Sequence, residues 1–178
     1  MTGVQTCALP IYYNLVQYNK ILNERNVLLK NRHLDIDVLD VYDVQLSEYG
    51  NNIIKDRIKY IKKLNFYGEG IHNDISSGKE KIEFQYITGI KNLENIESEF
   101  YDLLKKNRKK DIEKGITTIG PHRDDFTVSL NGIDAKSFGS QGQQRSAVLT
   151  IKFSSLKIIK ELTGEFPILL LDDIFSEL

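Results

Sequence analysis

Apolar residues recur at spacings of three and four over long stretches of this chain, and alternate with polar ones only over short ones. Leu15, Tyr18 and Leu22, with a further pair at Leu28 and Leu29, predict a helix over Tyr12–Lys30. Leu39, Tyr42, Leu46, Tyr49, Ile53, Ile54, Ile58 and Ile61 predict a longer one over Asp35–Leu64, capped by Asp35 or Asp37. Its outer face carries Lys55, Lys59, Lys62 and Lys63, read as a solvated face. Gly68, Gly70 and the Ser76–Ser77–Gly78 cluster punctuate the chain beyond Leu64. Ile82, Phe84 and Tyr86 alternate with Glu83, Gln85 and Ile87, the period of a strand. Helix returns over Asn92–Lys110, with Leu93, Ile96, Phe100, Leu103 and Leu104 on one side. A hairpin comes next: Phe126–Leu130, an Asn131–Gly132 turn, and Ile133–Ala135 pairing back. Gln143–Leu162 predicts a last helix, ended by Thr163–Gly164. Ile168–Leu171, apolar throughout, predicts a strand in the middle of its sheet.

Composition narrows the class. A hydrophobic fraction of 40% and a charged fraction of 28% fit a globular protein and exclude a disordered one. The net charge of -1 supplies no overall field for nucleic acid, so any such surface must be a local patch. Cys7 is the one cysteine, which excludes an internal disulfide and suits a reducing, cytoplasmic compartment. No run approaches the roughly 20 apolar residues of a membrane span. Met1–Ile11 carries no charge and contrasts with the Lys-, Glu-, Asn- and Ile-rich remainder, so it reads as an extraneous leader or a frayed terminus. The predicted strand runs into two aspartates six residues from the last one, as expected of an internal piece of a longer protein.

Two segments carry candidate chemistry. In Phe138–Gly139–Ser140–Gln141–Gly142–Gln143–Gln144–Arg145, small residues stand immediately before a helix. They let a ligand approach the backbone, the helix start offers unpaired N–H groups, and Ser140 and Arg145 add a hydroxyl and a cation. That set suits a phosphate; a small-residue N-cap without ligand is the other reading. In Ile168–Leu169–Leu170–Leu171–Asp172–Asp173, a buried strand delivers acids to a sheet edge, where one can hold Mg²⁺ and its neighbour activate water. The alternative is a strand ending in an acidic turn. Together, loop, helix and acid-tipped strand follow the signature-to-Walker-B order of ABC-type ATPases.

The stretch from Gly115 through Gly120–Pro121–His122–Arg123–Asp124–Asp125 and Ser140–Arg145 to Asp172–Asp173–Ile174–Phe175–Ser176–Glu177–Leu178 resembles the RecF family of bacterial DNA replication and repair proteins. So do Glu24–Arg25–Asn26 and Gln45–Leu46–Ser47–Glu48–Tyr49–Gly50, and the resemblance covers residues 12–178. It implies an α-rich α/β fold. A mainly helical lobe over 12–112, with a short strand near 82–87, would be inserted before the C-terminal part of an ABC/SMC-like P-loop ATPase lobe over 113–178. It also implies ATP and Mg²⁺ as cofactors, an ATP-sandwiched homodimer that binds single-strand, double-strand or gapped DNA, and RecO and RecR as partners. The roles would be replication, recombinational repair and the SOS response. Ser140 and Gly142 would contact the γ-phosphate held by the opposite subunit, with Gln143, Gln144 and Arg145 shaping the loop and Gln141 standing at a signature position where general ABC signatures have Gly. Asp172 would hold Mg²⁺ and Asp173 would be the catalytic carboxylate.

No Gly-x-x-x-x-Gly-Lys-[Ser/Thr] loop occurs in the 178 residues, so the chain as it stands is expected not to hydrolyse ATP. Lys105, Lys106, Arg108, Lys109 and Lys110 form the one dense basic run, a candidate DNA contact or a solvated helix end. Gly120–Asp125 has no chemistry derivable from its residue types; its polar cluster could hold the sheet edge, the favoured reading, or contact ligand, and its His–Arg–Asp lacks the asparagine of a kinase catalytic loop. His33 and His72 have no ligand-spaced partners. The rival readings are a helical protein-interaction module and another SMC-type ATPase head, the latter disfavoured by the absence of long coiled-coil heptads.

Overall fold

The computed structural model describes residues 3–31 and 33–168. Its elements are α1 (Gly3–Leu29), α2 (Ile36–Ser76), β1 (Ile82–Ile87), α3 (Ile96–Lys114), β2 (Asp125–Leu130), β3 (Ile133–Asp134), α4 (Ala135–Phe138) and α5 (Gln141–Thr163). Among the described residues the fold is α-rich, as the resemblance implies, with one small antiparallel sheet in the order β1-β2-β3, a pairing of the 82–87 strand with the hairpin that the hydrophobic pattern did not specify. Leu169–Leu171 of the expected last strand, and Asp172 and Asp173, lie outside the described residues.

Helix α2 is the spine. Asp35, not Asp37, caps it, accepting from the N–H groups of Asp37 at 3.0 Å and Val38 at 3.2 Å. The helix continues well past Leu64, through both glycines expected to punctuate it, and stops where Ser77 turns left-handed (φ 52°). A helical glycine costs about 1 kcal/mol relative to alanine. At Gly68 the reason is a close approach: a Cβ there would stand 2.8 Å from the Phe84 ring of β1 and 3.5 Å from Thr150 and Ser154 of α5. Gly70 faces open space and has no such reason.

Among the described residues, two hydrophobic cores lie along this spine. The first joins α1, α2 and α3 through Tyr18, Leu22, Leu46, Ile54, Phe100 and Leu104. The second joins the far half of α2 to the sheet, α4 and α5 through Leu64, Ile82, Phe84, Leu130, Ala147 and Ile158. Strand β1 pairs with β2 in the register Ile82↔Leu130 to Ile87↔Asp125. This pairing crosses the position 112/113 expected to divide the lobes. The other edge of β1 is fastened to α2 by Asn65, whose amide accepts from the Phe84 N–H at 2.8 Å and donates to its carbonyl at 2.7 Å.

Helix α1 begins at Gly3, ahead of Tyr12, and α3 runs on to Lys114, past Lys110. Three other boundaries differ from expectation through a short polar side chain. Asn92 accepts from the N–H groups of Glu94 and Asn95, and Glu99 from those of Lys91 and Asn92, so a turn precedes α3 and Leu93 stays exposed instead of joining the core. Asp134 accepts from the Ser137 N–H at 2.8 Å, which starts α4 and ends β3 before Ala135. Ser140 caps α5, so Gln141 and Gly142 are already helical.

Candidate functional site

The Ser140–Arg145 segment forms the first turn of α5. The Ser140 hydroxyl accepts from the Gln143 N–H at 3.2 Å, and the Gln143 side-chain carbonyl accepts from the Ser140 N–H at 2.9 Å, a reciprocal capping box. An accepting hydroxyl still has its own proton to donate. The N–H groups of Gln141 and Gly142 belong to the helix start, where no intrahelical acceptor exists for them. The segment is mostly exposed, Arg145 included.

The two glycines flanking Ser140 differ in kind. A Cβ on Gly139 would overlap the Ala135 carbonyl oxygen, so the fold itself requires that glycine. A Cβ on Gly142 would meet only the Ser140 hydroxyl, at 4.0 Å. Nothing within the described residues requires Gly142, whose helical position has the usual glycine cost.

Neighbouring side chains hold this turn in place. Gln144 donates to the carbonyls of Ala135, Lys136 and Gly139, each at 3.2 Å, tying α4 to α5. The Gln143 amide donates to Glu80 Oε1 at 2.8 Å. Glu80 Oε2 lies 3.3 Å from Nε2 of His72, and His72 Nδ1 lies 2.8 Å from the Thr150 hydroxyl of α5. His72 is fully buried.

The Gly120–Asp125 segment is turned inward. His122 Nε2 donates to the Thr117 carbonyl at 3.0 Å, which leaves Nδ1 to accept from the Tyr18 hydroxyl at 2.8 Å. Burial is the main influence that lowers the His122 pKa below its ordinary value, and it also raises that of Tyr18. Tyr86 donates to Asp124 at 2.5 Å, and Arg57 to the Pro121 carbonyl at 2.5 Å. At Gly120 (φ 127°) a Cβ would overlap the Tyr18 hydroxyl and the Phe100 ring. These bonds join the entrance of β2 to the helical core, in line with a structural role.

Beneath it is a buried charge network. Arg25, fully buried, donates to Asp43 at 2.6 Å, Asp111 at 2.9 Å and Thr117 at 2.8 Å. Arg108 belongs to the same network, donating to Asp43 at 2.7 Å and Asp40 at 2.6 Å. The Arg108 bond is the largest influence on Asp40 and holds its carboxyl below the usual range. The expected basic run therefore does not act as one surface. Arg108 is spent within the fold and Lys105 leans on Asp40 and Tyr101, whereas Lys106, Lys109 and Lys110 are exposed. Among the described residues, no group of His, Cys, Asp and Glu is arranged to hold a metal ion. None of the described helices is long and apolar enough to cross a membrane.

Sequence reasoning missed Arg25, Asp43 and His72. Each carried a signal, because each is a polar residue inside an apolar helical stripe: Tyr18–Leu22–Arg25–Leu29, Leu39–Asp43–Leu46 and Leu64–Gly68–His72.

No protein-family model matches the chain. It is 64% identical over 167 residues to the DNA replication and repair protein RecF of Clostridium perfringens, covering 94% of this chain and 46% of that protein. It is 62% identical to the protein of that name from Clostridium novyi and 59% identical to that of Clostridium acetobutylicum, with the same coverage. The chain thus spans about half the length of the curated relatives it matches. Among solved structures, it resembles the recombination mediator protein RecF-ATP in the RecFOR pathway, with TM-score 0.89 and 38% identity over 99% of this chain and 49% of that one. The corresponding RecF-ATPrS structure gives TM-score 0.88 and 40% identity, covering 95% of this chain and 47% of that one.

Proposed function

Because this chain belongs to the RecF family, we propose that it supplies part of an ATP-dependent DNA-binding protein of replication and recombinational repair. Two copies of the whole protein would close around ATP. The Ser140 turn would contact the γ-phosphate of the nucleotide bound to the opposite copy, through the Ser140 hydroxyl and the N–H groups of Gln141 and Gly142. Asp172 would hold Mg²⁺ and Asp173 would orient the attacking water in the site of its own copy. The closed pair would bind DNA, with RecO and RecR as partners and the SOS response as a setting. Exposed Lys106, Lys109 and Lys110 are the members of the basic run available for phosphate contacts.

The observation that carries this reading is Gly142: a helical glycine that no neighbouring atom requires, close to a serine whose capping bond leaves its proton free to donate. The test is Ser140→Ala in the full-length protein, with ATP-dependent dimerisation followed by sedimentation and DNA binding by titration at two salt concentrations. We expect dimerisation and DNA affinity to fall by roughly tenfold, the effect of losing one hydrogen bond to a charged group. Dimerisation at wild-type ATP and protein concentrations would refute the phosphate role and favour a helical interaction module.

A further inference from the structure

We propose that Glu80, held by His72, is the positioning residue of the Ser140 turn. The proposal rests on the reading of that turn as a phosphate contact, and concerns what aims it.

Gln143 has one amide with two duties. Its carbonyl accepts from the Ser140 N–H, so its NH₂ must face outward, and there it meets Glu80 Oε1 at 2.8 Å. A carboxylate can only accept, so this orientation is the one that satisfies both ends. The capping box is exposed and belongs to a first turn that would otherwise fray. Glu80 ties it to a rigid part of the molecule. Glu80 itself stands between α2 and β1, its N–H donating to the Ser76 hydroxyl at 3.3 Å.

The other carboxylate oxygen fixes the tie. His72 is fully buried and its Nε2 faces Glu80 Oε2 at 3.3 Å. Since the carboxylate accepts, Nε2 carries a proton. The Thr150 hydroxyl lies 2.8 Å from His72 Nδ1 and 2.8 Å from the Ser146 carbonyl. The hydroxyl donates to that carbonyl, and its oxygen lies within hydrogen-bonding distance of the His72 ring. Thr150 to His72 to Glu80 to Gln143 to Ser140 is then an unbroken hydrogen-bonded path. It anchors the first and third turns of α5 to the end of α2, the helix shared by both cores.

A carboxylate beside an anion site is electrostatically unfavourable, so attraction cannot be its contribution. The side chain is only 19% exposed and both its oxygens are engaged. What remains is orientation.

The test compares Glu80→Ala, Glu80→Gln and Ser140→Ala in the full-length protein. Hydrogen exchange is followed over residues 139–146, together with ATP binding by the monomer and the ATP concentration for half-maximal dimerisation. In Glu80→Ala, exchange over 139–146 should quicken about tenfold and half-maximal dimerisation should need about tenfold more ATP, with ATP binding by the monomer unchanged. Glu80→Gln should restore most of both, because its carbonyl can accept from Gln143 while its NH₂ donates to the other tautomer of His72. Unchanged exchange over 139–146 in Glu80→Ala would overturn the proposal, as would a Glu80→Gln variant equally impaired or a uniform rise in exchange through α2 and α5. If Ser140→Ala dimerises normally, the phosphate reading fails, and the exchange data alone then decide whether Glu80 holds the turn.

Discussion

Arg25 offers the sharpest energetic test of the fold. Its guanidinium is completely buried and bonded to Asp43, Asp111 and Thr117. Such an arrangement, compared with apolar residues of the same volume, adds little net stability, because desolvation offsets the attraction. Removing the cation alone is different, since it strands the buried carboxylates and costs about 3–5 kcal/mol. Here both acids keep other partners: Arg108 on Asp43 at 2.7 Å, and the Thr118 N–H and hydroxyl on Asp111 at 3.0 and 2.6 Å. Arg25→Met should therefore fall at the lower end, about 3 kcal/mol. At about 2–4 °C per kcal/mol for a chain of this size, that is a fall in Tm of roughly 6–12 °C. Urea unfolding followed by circular dichroism measures it. Adding Asp111→Asn removes one stranded charge while keeping an acceptor for Thr118, so Arg25→Met/Asp111→Asn should be more stable than Arg25→Met alone. A loss under about 1 kcal/mol for Arg25→Met, or a double variant less stable than the single, would refute the orphaned-charge argument.

Packing and titration supply two further expected outcomes. Gly68→Ala places a methyl 2.8 Å from the Phe84 ring and should destabilise the chain by about 1–3 kcal/mol despite alanine's better helix propensity; a stabilised variant in a urea melt would contradict the close approach. Burial lowers the folded pKa of His122, so the unfolded state takes up its proton first as the pH falls; the stability His122 contributes is complete above about pH 6.5 and is lost as pH falls through the folded pKa. An NMR titration should place its midpoint below 6.5, and a midpoint at or above that value would contradict the lowering by burial.

Much of the fold was legible along the chain because its signals are local. A helical stripe, an alternating strand and an Asn–Gly turn each declare themselves within a few residues, and α1, α2, β1, the hairpin and α5 each overlap the stretch the pattern predicted, although α1 begins at Gly3 instead of Tyr12 and α2 runs on to Ser76. The phosphate-loop candidate was legible for the same reason: small residues directly before an apolar helical stripe. Errors fell at ends. Gly68 read as a stop because propensity is local, whereas the tolerance for it comes from Phe84 and Thr150, on other elements.

By itself, the sequence determined the order and type of the elements, the resemblance of residues 12–178 to a family, and which residues could meet a phosphate. Tertiary structure decided which charges are spent within the fold. Arg108 looked like one cation among five until the fold set it between Asp40 and Asp43. Arg25 reaches Asp111, and His72 reaches Thr150, across spans of chain that no periodicity encodes. The physical reason is common to all three. A polar group that folding takes out of water must find its partner wherever the chain brings one, and only the packed molecule says where that is.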